Sequence, residues 1–298
     1  MARLNPFEAK ASEEKLLGHG NELLEHFLNP GAFGAHCALI FGPIGSGKTS
    51  LLFALAELFR KRGWYIFLRG RDIFEVPRIP NWREKTEIFI PREYKFSLRV
   101  QTKGAKKYPK IKVKEYKSVA ELVKLAHRNK ITTVYANRNV EVPEWLSAYQ
   151  GVDVIPKEAL FWYEFFTEVI RKLGGKKTAI FIDEIHELWS SGSFGAYWHL
   201  IEQTKNKIAD FRKARVTLVG TTHSSGDIDW RIKSKIDYHF YLPGSRPLKG
   251  SLVKPKFSIL LNKGRAFIES GKFGLVKFKL LPDNGEIWLA NLKKVKRG

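Results

Sequence analysis

An eight-residue stretch, GPIGSGKT from Gly42 to Thr49, has the spacing of a phosphate-binding loop. Its glycines let backbone N–H groups wrap around phosphate oxygens, and the start of the following helix favours negative charge. We expect Lys48 to reach the β and γ phosphates of ATP and Thr49 to hold Mg²⁺. The predicted nucleotide-binding residues are Gly42, Pro43, Ile44, Gly45, Ser46, Gly47, Lys48, Thr49 and Ser50.

Two adjacent acids, Asp183 and Glu184, follow the apolar run AIFI. If that run is a buried parallel strand, its carboxyl end lies at the crevice where open α/β sheets bind ligands. Asp183 is then placed to hold the metal through water, and Glu184 to orient and deprotonate the attacking water. The pair could instead cap a helix, because DEIHELW continues with helical spacing. We expect His186 and Glu187 to be solvated or packing residues.

A third apolar run, VTLVGTTH, begins just after a basic cluster and ends in a polar one. We expect it to form a strand beside AIFI, with its polar end facing the γ phosphate as a sensor. The cations before it, Arg212, Lys213 and Arg215, would then point away from their own nucleotide. A basic helix end beside its carbonyl dipole is the simpler interpretation of this cluster.

The elements that carry these residues alternate between strand and helix. CALIFG, SGKTSLLFALAELFRKRG and WYIFLRG form a strand, a helix and a strand, which is one right-handed βαβ unit. Further strands are expected at KTAIFIDE, RVTLVGTTH and DYHFYL, with long helices between them. The sequence therefore predicts an α/β fold: a parallel sheet with helices on both faces.

Three segments make up the expected domain organisation. An N-terminal helical segment covers residues 1–35, the ATPase core 36–242, and a C-terminal antiparallel β extension with a basic tail 243–298. Within the core, residues 74–139 look inserted. There KFSLRVQTKG and KIKVKEYK alternate apolar with basic residues, which predicts a two-stranded basic hairpin.

The formal net charge is +22, from 52 Lys and Arg against 30 Asp and Glu. Residues 92–138 have a net charge of +11 and residues 249–298 of +9, so the charge is clustered. A chain this basic usually meets a polyanion. The residues expected to contact the phosphates of a nucleic acid are Lys103, Lys106, Lys107, Lys110 and Lys112. The scarcity of Met, Cys and Gln also fits a thermophilic source.

Other function classes have little support in the composition. Cys37 is the one cysteine, so there is no internal disulfide and no Cys-based zinc or redox motif. No apolar run approaches the ~20 residues that a membrane span needs. The N-terminus also lacks the pattern of a signal peptide, which led us to expect a cytoplasmic protein.

In its motifs the sequence resembles the FtsK/HerA superfamily of nucleic-acid-pumping ATPases, from about Cys37 to Leu242. The resemblance implies a RecA-like P-loop NTPase fold of the ASCE type. It also implies an arginine finger at Arg212, supplied to a neighbouring subunit, with Arg215 and Arg231 as alternatives. His223 falls where the superfamily has a γ-phosphate-sensing Gln, and this substitution is a departure from the pattern.

The resemblance further implies a homo-oligomeric ring, expected to be a hexamer, that hydrolyses ATP to move double-stranded DNA. Within the superfamily the size of the chain favours a genome-packaging ATPase of an archaeal virus or mobile element, with a capsid portal or other virion protein as a partner. Two alternatives stay open: an AAA+-like or helicase-type remodelling ATPase, and a nucleotide-gated morphogenesis or scaffold protein with little turnover.

Overall fold

The computed structural model describes residues 6–31, 34–102, 105–282 and 285–295. Its helices are α1 (Pro6–Leu28), α2 (Lys48–Lys61), α3 (Trp82–Lys85), α4 (Val119–Leu125), α5 (Glu144–Ser147), α6 (Lys157–Leu173), α7 (Gly195–Ala214), α8 (Trp230–Lys233) and α9 (Pro255–Ile259). Its strands are β1 (Ala38–Phe41), β2 (Tyr65–Arg69), β3 (Thr86–Pro91), β4 (Tyr94–Thr102), β5 (Ala105–Lys107), β6 (Lys114–Tyr116), β7 (Ile131–Val134), β8 (Thr178–Ile182), β9 (Val216–Thr222), β10 (Tyr238–Tyr241), β11 (Arg265–Ser270), β12 (Lys272–Lys277) and β13 (Ile287–Lys294).

Most of these strands form one large sheet in the order β12-β11-β10-β1-β9-β8-β2-β7-β3-β6. The eight strands from β10 to β6 are parallel, whereas β11 and β12 add an antiparallel edge. Strand β9 pairs with both β1 and β8, which confirms the expected position of VTLVGTTH beside AIFI. The carboxyl ends of all three strands therefore meet at one edge, where such sheets bind ligands.

Helices cover both faces of this sheet, as the sequence predicts. Successive side chains of a strand point to opposite faces. In β1, Leu39 and Phe41 pack with the apolar residues of α6 and α7, whereas Ala38 and Ile40 pack with those of α1 and α2. The aromatic band of α6, from Phe161 to Phe166, contributes buried rings to the first of these cores. Two apolar layers thus hold the sheet rigid under its ligand-binding edge.

The three remaining strands form a separate small sheet, in the order β13-β4-β5. Its pairing differs from the expected basic hairpin. Only β5 returns beside β4, and β6 instead pairs in parallel with β3 in the large sheet. There Tyr116 is buried and donates a hydrogen bond to the carbonyl of Tyr135 at 2.6 Å. The other edge of β4 pairs along its length with β13, from the C-terminal extension.

Within the described residues, no helix is both long and apolar enough to pass through a bilayer.

Candidate nucleotide-binding site

The phosphate loop joins the end of β1 to the start of α2. Gly45 and Gly47 adopt φ angles of 76° and 102°, a conformation that side chains with a Cβ rarely take. A Cβ at Gly42 would collide with the hydroxyl of Ser46. That hydroxyl is buried and has no hydrogen-bond partner among the described residues. A buried, unsatisfied donor inside a loop of this shape is what a phosphate oxygen would satisfy.

Lys48 begins α2, and its side chain is buried and folded back over the loop. Its Nζ donates to the carbonyl of Gly42 at 3.0 Å and lies 2.9 Å from Nδ1 of His223. The same Nζ is 3.6 Å from Oε1 of Glu184. Three residues predicted separately, from the loop, the acid pair and the sensor strand, therefore surround one ammonium group.

Thr221, near the end of β9, organises the acid pair. Its hydroxyl donates to Oδ1 of Asp183 at 2.6 Å and accepts from the N–H of Glu184 at 2.8 Å. Glu184 has a φ angle of 51°, in the left-handed region that non-glycine residues rarely occupy. Such backbone conformations persist where surrounding contacts enforce them, and they cluster at functional sites. The two carboxylates have different partners: Asp183 accepts from Thr221, whereas Glu184 lies beside Lys48.

Two arginines missed by the sequence analysis, Arg69 and Arg71, complete the site from the end of β2. Arg69 is buried and donates to the carbonyls of Asp183 and Glu184 at 2.9 and 3.2 Å. Arg71 lies 3.4 Å from Oδ2 of Asp183 and also pairs with Glu187. Because β2 neighbours β8, the run LRGR at its carboxyl end was a signal that could have identified them.

Arg69 also pairs with Glu158 of α6, through Nε to Oε1 at 2.6 Å. Burial alone would raise the pKa of the Glu158 carboxyl, but the hydrogen bonds and charge of Arg69 hold that pKa below its ordinary value. The carboxylate form of Glu158 therefore anchors Arg69 behind the acid pair.

The donor chemistry of the site fits Mg²⁺ at Thr49 and Asp183. These two oxygen-bearing residues line a common cavity of about 20 Å³ with Arg71, and Mg²⁺ prefers oxygen ligands. A second set of donors, Glu184, His186 and His223, has ligand atoms within 4.8 Å of one another. Its two imidazoles suit Zn²⁺ rather than Mg²⁺. His186 lies beside Glu184, the predicted base. Glu187 pairs with both Arg69 and Arg71.

The three arginine candidates for a finger occupy different environments. Arg231 is 2% exposed and bonds Asp229, Ser193 and the carbonyl of Trp198 within the same chain. Arg212 and Arg215 are exposed where α7 meets the amino end of β9. The seven residues of β9 span roughly 20 Å, so neither side chain can reach the candidate nucleotide site of the same chain.

Of the lysines expected to contact DNA, Lys103 lies outside the described residues. Lys106 and Lys107 are exposed on β5. Lys110 and Lys112 line a cleft of about 480 Å³. That cleft is also lined by three further cations, Arg83, Lys114 and Lys130, with Glu87 as the one acid among its described residues. The cleft is therefore strongly basic. The segment KIKV, which carries Lys110 and Lys112, does not form the strand that the sequence predicts.

Comparisons with known proteins agree with this fold. Residues 159–244, under a third of the chain, match the family described as ATPase family associated with various cellular activities (AAA). No curated protein sequence matches the chain significantly. The genome packaging NTPase B204 from Sulfolobus turreted icosahedral virus 2, in complex with sulfate, is 11% identical with a TM-score of 0.51, over 84% of this chain and 99% of B204.

Two further solved structures give lower scores. B204 in complex with ATP-gammaS is 11% identical with a TM-score of 0.47, over 83% of this chain and 98% of B204. The pCW3 conjugation coupling protein TcpA is 14% identical with a TM-score of 0.44, over 84% of this chain and 61% of TcpA. The likeness to the sulfate complex of B204 is one of fold. It confirms the predicted RecA-like P-loop NTPase fold.

Proposed function

We propose that this chain is an ATPase of the FtsK/HerA superfamily that translocates double-stranded DNA as a ring, as a genome-packaging motor does. The observation that carries the proposal is the convergence of Lys48, Asp183, Glu184 and His223 at the carboxyl edge of the sheet, around one phosphate loop. A Gly-rich turn without function would not require a buried ammonium group beside a catalytic-type acid pair.

The chemistry follows from the positions of these side chains. The loop N–H groups and Lys48 bind the β and γ phosphates, after Lys48 exchanges its carbonyl contacts for phosphate oxygens. Thr49, and Asp183 through water, would hold Mg²⁺, which would supply positive charge beside the phosphates. Glu184 takes the proton of the attacking water, for which its buried Oε2 is suited because it has no hydrogen-bond partner among the described residues.

Arg212 supplies positive charge to a neighbouring subunit. It is exposed on the edge of the sheet opposite its own phosphate loop, as a residue acting in trans must be. Arg231 is unsuited to this role because its guanidinium is consumed by contacts inside its own subunit. A ring, with six subunits as the expected number, presents each Arg212 to the next nucleotide.

Duplex DNA is the proposed polymer. The net charge of +22 and the basic cleft around Lys110 and Lys112 favour a polyanion that is gripped by its phosphates. B204, whose fold this chain shares, is a genome packaging NTPase. A grip on phosphates suits a motor because it does not depend on base sequence. A virion protein such as a capsid portal is the proposed partner.

A direct test compares ATP turnover with and without mixed-sequence duplex DNA. We expect wild-type turnover to rise when duplex is added, and Glu184→Gln to bind ATP without hydrolysing it. If duplex neither binds at moderate salt nor changes turnover, the motor proposal fails in favour of a nucleotide-gated scaffold.

A second candidate is an AAA+-type remodelling ATPase, which the family match over residues 159–244 favours. The elements that follow β10 weigh against it. They are the five-residue helix α9 and strands β11, β12 and β13, whereas AAA+ ATPases carry a helical lid there. ATP turnover stimulated by an unfolded protein, and unaffected by duplex DNA, would favour this candidate.

A further inference from the structure

The small sheet has one face that carries only positive charge. Alternate residues of β4 point outward, and the partners of β13 and β5 lie beside them. We name this the outer face; its residues are Lys95, Ser97, Arg99, Gln101, Lys106, Ile287, Leu289, Asn291 and Lys293. Its four cations have no carboxylate within 4.0 Å among the described residues. The opposite face is apolar and packs on the core.

Lys95 and Lys293 lie directly opposite each other in the pairing of β4 with β13. Like charges in this position destabilise a sheet. The repulsion between Lys95 and Lys293 is reduced if an anion lies between the two ammonium groups. A repulsive pair at one end of this basic face is therefore a signal for a bound polyanion.

The outer face forms one wall of a cleft of about 550 Å³. Arg99 contributes to this wall and Arg138 lines the cleft as well. The ring of Tyr108 also lines the cleft and is 68% exposed, so a base or sugar can pack on it. Of the two acids in the cleft, Glu158 is already neutralised by Arg69.

One segment connects this face to the catalytic acids. The carbonyl of Asp72 accepts from the N–H of Ala290 at 2.8 Å, and the N–H of Phe74 donates to the carbonyl of Trp288 at 2.8 Å. Residues 72–74 thus act as a further short strand along β13. Arg71, next in the chain, holds Oδ2 of Asp183. A shift of β13 therefore moves the residue that competes with Mg²⁺ for the Asp183 carboxylate.

We propose that the outer face binds the phosphate backbone of DNA, and that binding is transmitted to Asp183 through Arg71. This inference rests on the proposed function, because it takes DNA as the polyanion. DNA on the outer face draws β13 and residues 72–74 outward, Arg71 withdraws toward Glu187, and Asp183 becomes available to the metal. Arg71 is a positioning residue in this scheme, since it acts through Asp183.

The binding step is tested with fluorescein-labelled, mixed-sequence duplex DNA followed by anisotropy at several salt concentrations. Arg99→Ala should lower the slope of log affinity against log salt by about one, as expected for one lost phosphate contact. Lys95→Glu should weaken DNA binding and yet raise the melting temperature, because it turns a repulsive pair into an ion pair with Lys293. Lys176→Glu, with the same charge change at an exposed loop lysine, is the matched control.

The outcomes separate the two proposals. If wild type does not bind duplex DNA, the proposed function fails. If wild type binds but Lys95→Glu and Arg99→Ala bind equally well, the outer face is not the site and only this inference is overturned. Single-stranded DNA and anionic vesicles are included as probes; tighter binding to vesicles than to DNA at equal salt would also overturn it.

The transmission step is tested by nucleotide binding, so that turnover is not needed. In wild type, saturating duplex should change the affinity for a non-hydrolysable ATP analogue with Mg²⁺. In Arg71→Gln, DNA should still bind while this change disappears, and Arg71→Lys should restore part of it. If duplex DNA changes the affinity for the ATP analogue as much in Arg71→Gln as in wild type, transmission through Arg71 is overturned.

Discussion

The Nζ of Lys48 lies 2.9 Å from Nδ1 of His223, at the point where the phosphate loop meets the end of β9. A lysine ammonium group can only donate, so Nδ1 accepts and the proton of the neutral ring is on Nε2. Nε2 in turn lies 3.4 Å from Oε2 of Glu184. His223 therefore lies between Lys48, with which it shares a hydrogen bond, and Glu184.

We expect His223→Ala to lower ATP turnover about 10- to 100-fold. The change removes the hydrogen bond between Lys48 and His223, and a hydrogen bond to a charged group contributes about 1.5–3 kcal/mol. His223→Gln should retain most of the activity, because the amide can both donate and accept. Steady-state hydrolysis with the two variants side by side measures this. Equal losses in both would contradict the role of this hydrogen bond.

Glu184→Gln should reduce turnover by about 10²- to 10⁴-fold and leave nucleotide affinity close to wild type, because the amide cannot take a proton from water. The measurements are ATP hydrolysis and binding of a fluorescent ATP analogue. Glu187→Gln, a change of the same kind at a neighbouring acid, is the control and should retain far more activity. A Glu184→Gln protein with wild-type turnover would remove Glu184 from the mechanism.

Arg212→Ala should lower turnover by about 10³- to 10⁵-fold and should also poison mixed rings, because each altered subunit disables the site of its neighbour. Titrating Arg212→Ala into wild type and measuring turnover against the mixing ratio tests this. Turnover that falls only in proportion to the wild-type fraction would exclude a finger in trans. Arg231→Ala should instead destabilise the fold by about 3–5 kcal/mol, because it leaves the buried Asp229 carboxylate without its charge partner.

The Asp229–Arg231 pair makes stability sensitive to acid. Burial alone would raise the pKa of the Asp229 carboxyl, but bonds from Arg231 hold that pKa below its ordinary value. A lowered folded-state pKa means that the stabilisation is present above the ordinary aspartate pKa of about 3.9 and is lost as the pH falls through the folded-state value. Urea unfolding between pH 7 and pH 3 should show a shallower loss of stability in Asp229→Asn than in wild type.

The single thiol should be unreactive in the folded protein. Burial raises the pKa of Cys37 to about 12, so almost no thiolate exists near neutral pH. A thiol reagent at pH 8 should label the protein only after denaturant is added. Rapid labelling of the native protein would show that the amino end of β1 opens readily.

Local signals in the sequence predicted much of the site. The loop spacing identified Lys48 and Thr49, and the polar ends of two buried runs identified Asp183 and His223. These residues lie together because parallel strands bring their carboxyl ends to one edge whatever the loops between them do. Arg69 and Arg71 follow the same rule but were missed, since arginines after a strand carry no motif of their own.

Long-range pairing is what the sequence could not indicate. KIKV and β13 both have strand-like alternation, and nothing local shows that β4 pairs with the distant β13 rather than with the nearby KIKV. Eight paired positions and the burial of Leu98 and Ala290 decide the outcome in favour of β13. Similarly, the burial of Arg231 depends on Ser193 and Trp198, which are far from it in the chain.

The pairing of β4 with β13 also sets the order of events during synthesis. Residues 94–102 leave the ribosome long before residues 287–294, so β13 can join β4 only after the residues between them have been synthesised. A nascent chain can assemble its phosphate loop and acid pair while β4 still exposes an open edge. The outer face is therefore completed late: translation products that stop short of Ile287 would carry the phosphate loop and the acid pair without the completed basic surface.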